Sequence, residues 1–306
     1  MEKSSLQPLE SKPYFQLHFL VVILACTAIL GKLIDLPAAT LVFWRTLIAG
    51  AVLFIYLYTK VANRASLFSS PFRNKAILTG IILGAHWITF FGAIKLSNIS
   101  ICLCGMATTS LFTAAIEAIS ERRKPYSPEI ILSLLIVPAI IFIIGVEPLH
   151  LLGMLCALAS AALAATFTVI NKSIVRQGAN PATMTFHEMI GASTTCLIFI
   201  LYSTGQISSS ILPNSSDWFW LIILATFCTV YAFTLHIKLL KCFSAYETNL
   251  AINFEPVYGI ILAAFLFSEH KHLNPLVFLG AFIIILVNLL NPAFARKSER
   301  RKMPSA

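Results

Sequence analysis

An all-α integral membrane protein, built from ten transmembrane helices as two inverted five-helix repeats, is the fold this sequence predicts, on three observations. Hydrophobic residues fill 58% of the 306 positions and charged residues 11%, and the mean hydropathy is +0.84, far from the composition of soluble domains. Apolar runs of about 20 residues, the length needed to cross a hydrocarbon layer, recur along the whole chain. The ends of the early runs also resemble the ends of later ones at a nearly constant separation.

The runs fall at 15–33, 37–59, 75–95, 98–119, 128–146, 150–171, 181–204, 217–239, 245–267 and 273–292. Residues 1–13 are polar, with Lys3, Glu10 and Lys12. No small-x-small cleavage site followed by a polar domain comes after the first run, so that run is expected to remain in the mature chain. Ten spans use roughly 200 residues, leaving connections too short for a soluble domain.

The net charge of +9 sits at the ends of the runs, leaving no basic face for a nucleic acid. About 18 of the Lys and Arg residues fall on the side of the N-terminus and about 3 (Lys32, Lys95, Lys271) on the other, with Arg45 inside the second run. By the positive-inside rule this predicts a multi-pass protein of the inner (plasma) membrane with both termini cytoplasmic. The serine-rich stretch 205–216 between runs seven and eight is then an external loop. Seven cysteines lie in or beside apolar runs without a CxxC pair and read as small core residues.

The repeat is legible segment by segment. AILGKLI ends run one and TVINKSI ends run six; GAIKLSNIS ends run three and HIKLLKCFSAYE ends run eight; SERRKPYSP follows run four and SEHKHLNP follows run nine. The offsets stay between about 140 and 148 residues. Five spans per half is an odd number, so the second half, 147–306, enters the membrane upside down relative to the first, 1–146. In transporters such a repeat places the solute site near the midplane, between the halves.

Charge at mid-depth in a bilayer is costly, about 2.5 to 3.5 kcal/mol for Arg, Lys or Asp, so each ionisable residue there is weighed singly. Glu255 lies near the centre of run nine, in NFEPVYGIILAAFLFSE, and Pro256 after it cannot donate a hydrogen bond to the Ile252 carbonyl. Two readings stand: a substrate or proton site, or a carboxyl that caps donors at a kink. Asn249 and Asn253, spaced i and i+4, make a polar stripe suited to a cavity wall or to helix-helix hydrogen bonds. His86 and Trp87, with Phe90 and Phe91, fall near the centre of run three, where aromatic rings either line a cavity or fill a core. Gly80 and Gly84 on the same run read as a close-packing GxxxG. Arg45 in run two and Glu188 in run seven align in the repeat but are roughly 12 Å apart in depth at 1.5 Å rise per residue, which suits gating or structural roles rather than an ion pair.

Enzyme signatures are missing. HisGluMetIleGly (187–191) puts Gly191 where a zinc-binding HExxH needs its second histidine, and no GxSxG elbow or phosphate-cradling glycine loop occurs. The reading therefore implies no metal or cofactor.

At WITFFGAIKLSNIS, FWRTLIAG and NFEPVYGIILAAFLFSEHKHLNP the chain resembles the drug/metabolite transporter superfamily, specifically its EamA-type ten-helix members, over essentially residues 15–292. The resemblance implies inverted repeats around a central cavity, with runs three, four, eight and nine prominent in its wall, and alternating access. It implies a secondary transporter, an exporter or exchanger, of small polar organic metabolites such as amino acids. Glu255-Pro256 matches the family's Glu-Pro in run nine, and the Glu121 and Glu269 segments match the repeat ends; run four departs, with Thr108 and Thr109 in place of Glu-Pro. The expected partners are a small-molecule solute and the lipid bilayer, with His86, Trp87, Tyr231, Asn249, Asn253 and Glu255 as solute contacts and Arg45, Glu188 and Pro256 as gating or structural groups. A polytopic enzyme acting on lipid-linked substrates and a passive solute channel are the alternatives; the first lacks clustered acid, His or Cys groups at one interface, the second a ring of like charges.

Overall fold

The computed structural model describes residues 11–60, 70–124, 134, 136–204, 212–284 and 286–287. Every element among the described residues is helical, as expected where the backbone must satisfy its own polar groups within a membrane. In order these are α1 Ser11–Leu33, α2 Ala38–Lys60, α3 Arg73–Leu96, α4 Ile99–Met106, α5 Thr109–Ser120, α6 Ile136–Val146, α7 Leu151–Arg176, α8 Pro181–Thr204, α9 Ser215–Ala225, α10 Ala232–Leu239, α11 Ala245–Ile252, α12 Glu255–Phe267 and α13 Pro275–Ile284. A π-helical segment, Thr226–Tyr231, joins α9 to α10.

Eight stretches among the described residues are long and apolar enough to cross a bilayer, α4–α5, α9–α10 and α11–α12 each counting as one. The chain is thus a multi-pass membrane protein. The expected fifth and tenth runs are present as the shorter helices α6 and α13. Residues 128–133, 135, 285 and 288–292 of those runs lie outside the described residues, as do the two tails, the basic stretch 61–69 and residues 205–211 of the serine-rich loop.

Small residues bring the central helices together. Gly80 and Gly84 of α3 sit against the backbone of Glu188 and Ala192 on α8, so close that a β-carbon at either would collide. Gly191 meets the backbone of Ile77 and Gly80 from the other side. This is the close approach that the GxxxG spacing predicts. α3 also packs along α7, and α2 along α8.

The fourth and ninth runs are both broken in the middle, and at matching places. α4 starts after the N-cap Asn98 and α11 after the N-cap Ser244. The interruption at Ala107 recurs at Asn253, 146 residues later. Positive φ recurs at Arg122 (52°) and Ser268 (53°), also 146 apart, where the left-handed backbone ends each pair of helices. The structural register of this region is therefore 146. That corrects the sequence match of Ser120-Glu121 with Ser268-Glu269, which is two residues off, and makes Thr109 the counterpart of Glu255.

The two breaks arise from different chemistry. Pro256 does not kink a continuous helix; it falls in the first turn of α12, where a missing N–H is harmless. In the first half hydroxyls do the work: Thr108 Oγ1 donates to the Gly105 carbonyl at 2.7 Å and Thr109 Oγ1 to that of Met106 at 2.5 Å, competing with the helical ladder.

A carboxylate from the opposite half caps each of these broken helices. Glu269 accepts the backbone N–H groups of Ile99 and Ser100, both at 3.1 Å, and the Ser100 hydroxyl at 2.8 Å. At the other end of the bundle Glu117 accepts the N–H groups of Ala245 and Tyr246, both at 3.1 Å. Anions are favoured there because the first N–H groups lack partners and the helix dipole is positive. Lys172 of α7 donates to Glu117 and, at 3.0 Å, to Glu121. The repeat-end role assigned by sequence to Glu121 thus belongs to Glu117, one turn earlier and facing inward.

Candidate solute cavity

Where the two breaks meet, α1, α2, α3, α7 and α10 close around them and leave a cavity of about 60 Å³. That is room for about two waters at ~30 Å³ each, so a metabolite enters only if the wall moves. Its lining includes Thr27, Arg45, His86, Trp87, Thr109, Thr168, His236, Asn249 and Glu255, among the aromatic rings of Phe90, Phe167 and Phe233. A second recess of about 370 Å³ lies at the beginnings of α3 and α8, from Ser70 to His187, and contains no charged side chain.

Arg45 is wholly buried. Its Nε donates to Thr229 Oγ1 at 2.6 Å and its Nη2 to the Cys228 carbonyl at 3.1 Å, two groups of the π-helical segment. In the widened turn Thr229 Oγ1 itself donates five residues back, to the Leu224 carbonyl. The guanidinium lies over the Trp87 ring, 4.0 Å from its centroid, a cation–π contact. Trp87 in turn meets Phe233 edge-on at 4.8 Å.

His86 is fixed by α7. Its Nδ1 lies 2.8 Å from Ser160 Oγ and 3.0 Å from the Ser160 carbonyl, while Ser160 Oγ donates back to the His86 carbonyl at 2.9 Å. This pattern assigns the ring proton to Nδ1. Phe167 covers the ring, with centroids 5.4 Å apart.

On the opposite wall Asn249 donates to Thr113 Oγ1 at 2.8 Å and faces the Thr168 hydroxyl at 3.4 Å. Glu255, at 6% exposure, lines the cavity at the first position of α12.

Of the six residues expected to touch solute, the structure thus brings His86, Trp87, Asn249 and Glu255 to one cavity. Asn253 and Tyr231 are elsewhere. Asn253 is buried, but its amide donates to the Ala107 carbonyl at 2.9 Å and Ser110 Oγ at 2.8 Å, joining the two breaks. Tyr231 is 46% exposed on the outer face of the π-helical segment, beside Phe19 and Phe227, because the extra residue in that turn rotates it away from the interior. Of the three gating or structural candidates, Arg45 faces the cavity. Glu188 is buried outside the lining with Asn171 as its polar neighbour, and Pro256 is in the first turn of α12.

Sequence reasoning missed Thr109, Thr168 and His236. Thr109 was visible as the repeat partner of Glu255 once the register is 146. His236 sits in HIKLLKCFSAYE, the segment matched to the end of run three, and its Nε2 has no hydrogen bond among the described residues. Nothing local singles out Thr168.

The sequence pattern described as the EamA-like transporter family matches residues 151–291. A solved structure described only as the crystal structure of a protein aligns with a TM-score of 0.69 at 16% identity, over 94% of this chain and 99% of that one, a likeness of fold. No curated protein matches the chain.

Proposed function

We propose, since residues 151–291 match the pattern of the EamA-like transporter family, that the chain is a secondary transporter, an exporter or exchanger, of small polar organic metabolites such as amino acids. The coarser part follows from the family and the helices: this is a membrane transporter. The finer part is supported by one observation, a small polar and aromatic cavity at the meeting of two broken helices, with a carboxylate-capped helix end toward each face of the bundle.

In this reading residues 1–146 and 147–306 are inverted five-helix repeats in a ten-helix bundle, with both termini in the cytoplasm and the protein in the plasma membrane. The repeats rock about the contact between Asn253 and Ala107. Glu269 and Glu117 hold the halves together toward opposite faces, and opening one side requires its carboxylate to release the helix N-terminus it caps. His86, Trp87, Asn249 and Glu255 contact solute, joined by Thr109 and His236. A proton exchanged at Glu255 is the candidate coupling step. Asn253, Glu188, Pro256 and Tyr231 shape the protein around the site.

The test is transport itself. Metabolites inside and outside cells with and without the protein identify candidates, and purified protein in proteoliposomes then shows saturable uptake and acceleration by solute on the opposite side. Non-saturable flux without acceleration would make the protein a channel. For coupling, Glu255→Gln is compared with wild type in exchange and in gradient-driven uptake; unchanged pH dependence removes Glu255 from that role.

A further inference from the structure

The guanidinium of Arg45 is a buried charge with two of its three nitrogens hydrogen-bonded. Its Nε and Nη2 are engaged by Thr229 and Cys228, and Trp87 covers one face. Buried Nη1 has no hydrogen-bond partner among the described residues. No carboxylate lies within ion-pair distance of it among them. Glu255 lines the same cavity but forms no ion pair with Arg45. A buried cation without a paired anion is unfavourable, and Arg45 lines the cavity, so an anion that enters as the wall moves meets this charge.

We propose that Arg45 is the anion-recognition residue of the cavity, and that the transported class is small organic monocarboxylates, zwitterionic amino acids among them, with the carboxylate docked on Nη1. This rests on the transporter reading of the same cavity. A carboxylate supplies one negative charge to one guanidinium and matches its planar donors. A phosphate dianion would leave a surplus charge in a chamber that already holds Glu255. An ammonium group on the same solute meets that carboxylate, and the rings of Phe90, Phe167 and Phe233 accept its apolar part. Thr229 and Cys228 hold the guanidinium in place, so Arg45 both fastens the π-helical segment and recognises solute.

The test uses the full-length protein in detergent. Thermal stabilisation is measured with the common L-amino acids, short monocarboxylates, the matching carboxamides, and inorganic phosphate. Wild type is expected to bind at least one carboxylate about tenfold or more tightly than its amide. Arg45→Lys should weaken that carboxylate about tenfold and leave the amide unchanged, and Arg45→Gln should abolish the preference. The wild-type comparison of acid with amide stands even if neither variant folds. Equal binding of acid and amide, stabilisation by phosphate alone, no stabilisation by any carboxylate, or a preference that survives Arg45→Gln each overturns the proposal. Selective carboxylate binding by a protein that shows no counterflow would keep Arg45 as the anion site and remove the transporter reading. Counterflow of amides as fast as acids would do the reverse.

Discussion

Asn253 donates its amide to the carbonyl of Ala107 at 2.9 Å, and the two residues are 146 positions apart, the same separation that relates the caps and the ends of the two broken helices. If the halves are the proposed inverted repeats, a residue that touches its own counterpart lies beside the axis relating them. In the proposed rocking motion the contact closest to that axis moves least, so a fixed hydrogen bond there is compatible with motion elsewhere.

Asn253→Ala removes the donor to Ala107 and Ser110 and leaves two buried acceptors unmatched. A loss of about 1–3 kcal/mol in unfolding free energy is expected, measured by thermal or denaturant unfolding in detergent. Pro256→Ala should lose less than about 1 kcal/mol, since a proline in the first helical turn relieves only an unmet donor and the fourth run breaks without one. Equal losses for the two would put the hinge at the proline.

Glu117→Gln takes one charge from a buried cluster and leaves Lys172, at 6% exposure, with only Glu121. Breaking a buried pair by removing one partner costs about 3–5 kcal/mol, so a large drop in unfolding temperature is expected. Glu121→Gln should change it far less, because that carboxylate is 40% exposed. The comparison fails if the two variants unfold together.

The same cluster gives a pH dependence. Partial burial works against the charged form of Glu121, but hydrogen bonds and charge from Lys172 and Arg123 outweigh it and hold its carboxyl below the usual range. A lowered value in the folded protein means stability that is present above the unfolded value of about 4.3 and lost as pH falls through the folded one. Unfolding followed from pH 6 to pH 3 should show Glu121→Gln less acid-sensitive than wild type. An unchanged slope would remove Glu121 from the acid response.

Gly80→Ala should be destabilising by about 1–3 kcal/mol, the usual range for overpacking, because its new methyl would collide with the Glu188 backbone. Gly92→Ala on the same helix, where a β-carbon meets nothing within 4 Å, is the control. Similar unfolding of the two would mean α3 and α8 yield more readily than their packing suggests.

Much of the candidate site was visible before any coordinates. His86, Trp87, Asn249 and Glu255 were found because polar or ionisable groups inside apolar runs are conspicuous whatever surrounds them. Tyr231 and Asn253 were misplaced for a shared reason: depth along a helix is set by sequence position, whereas the face is set by rotation. The π-helical turn changes that rotation for Tyr231. For Asn253 the break does so. Depth alone suits Arg45 to a gating or structural role, and only its tertiary neighbours show that it lines the cavity with one nitrogen lacking a hydrogen bond among the described residues.

What the sequence determined by itself is the membrane class, the positions of the apolar runs and the few mid-depth polar groups, because hydrophobic transfer and charge burial act on each segment independently of its neighbours. The tertiary structure decided the register of 146 over 148, the capping of α11 by Glu117, and the attachment of Arg45 to a π-helical turn 184 residues away. Each of these depends on which helix faces which, and that is fixed by side-chain packing between distant segments.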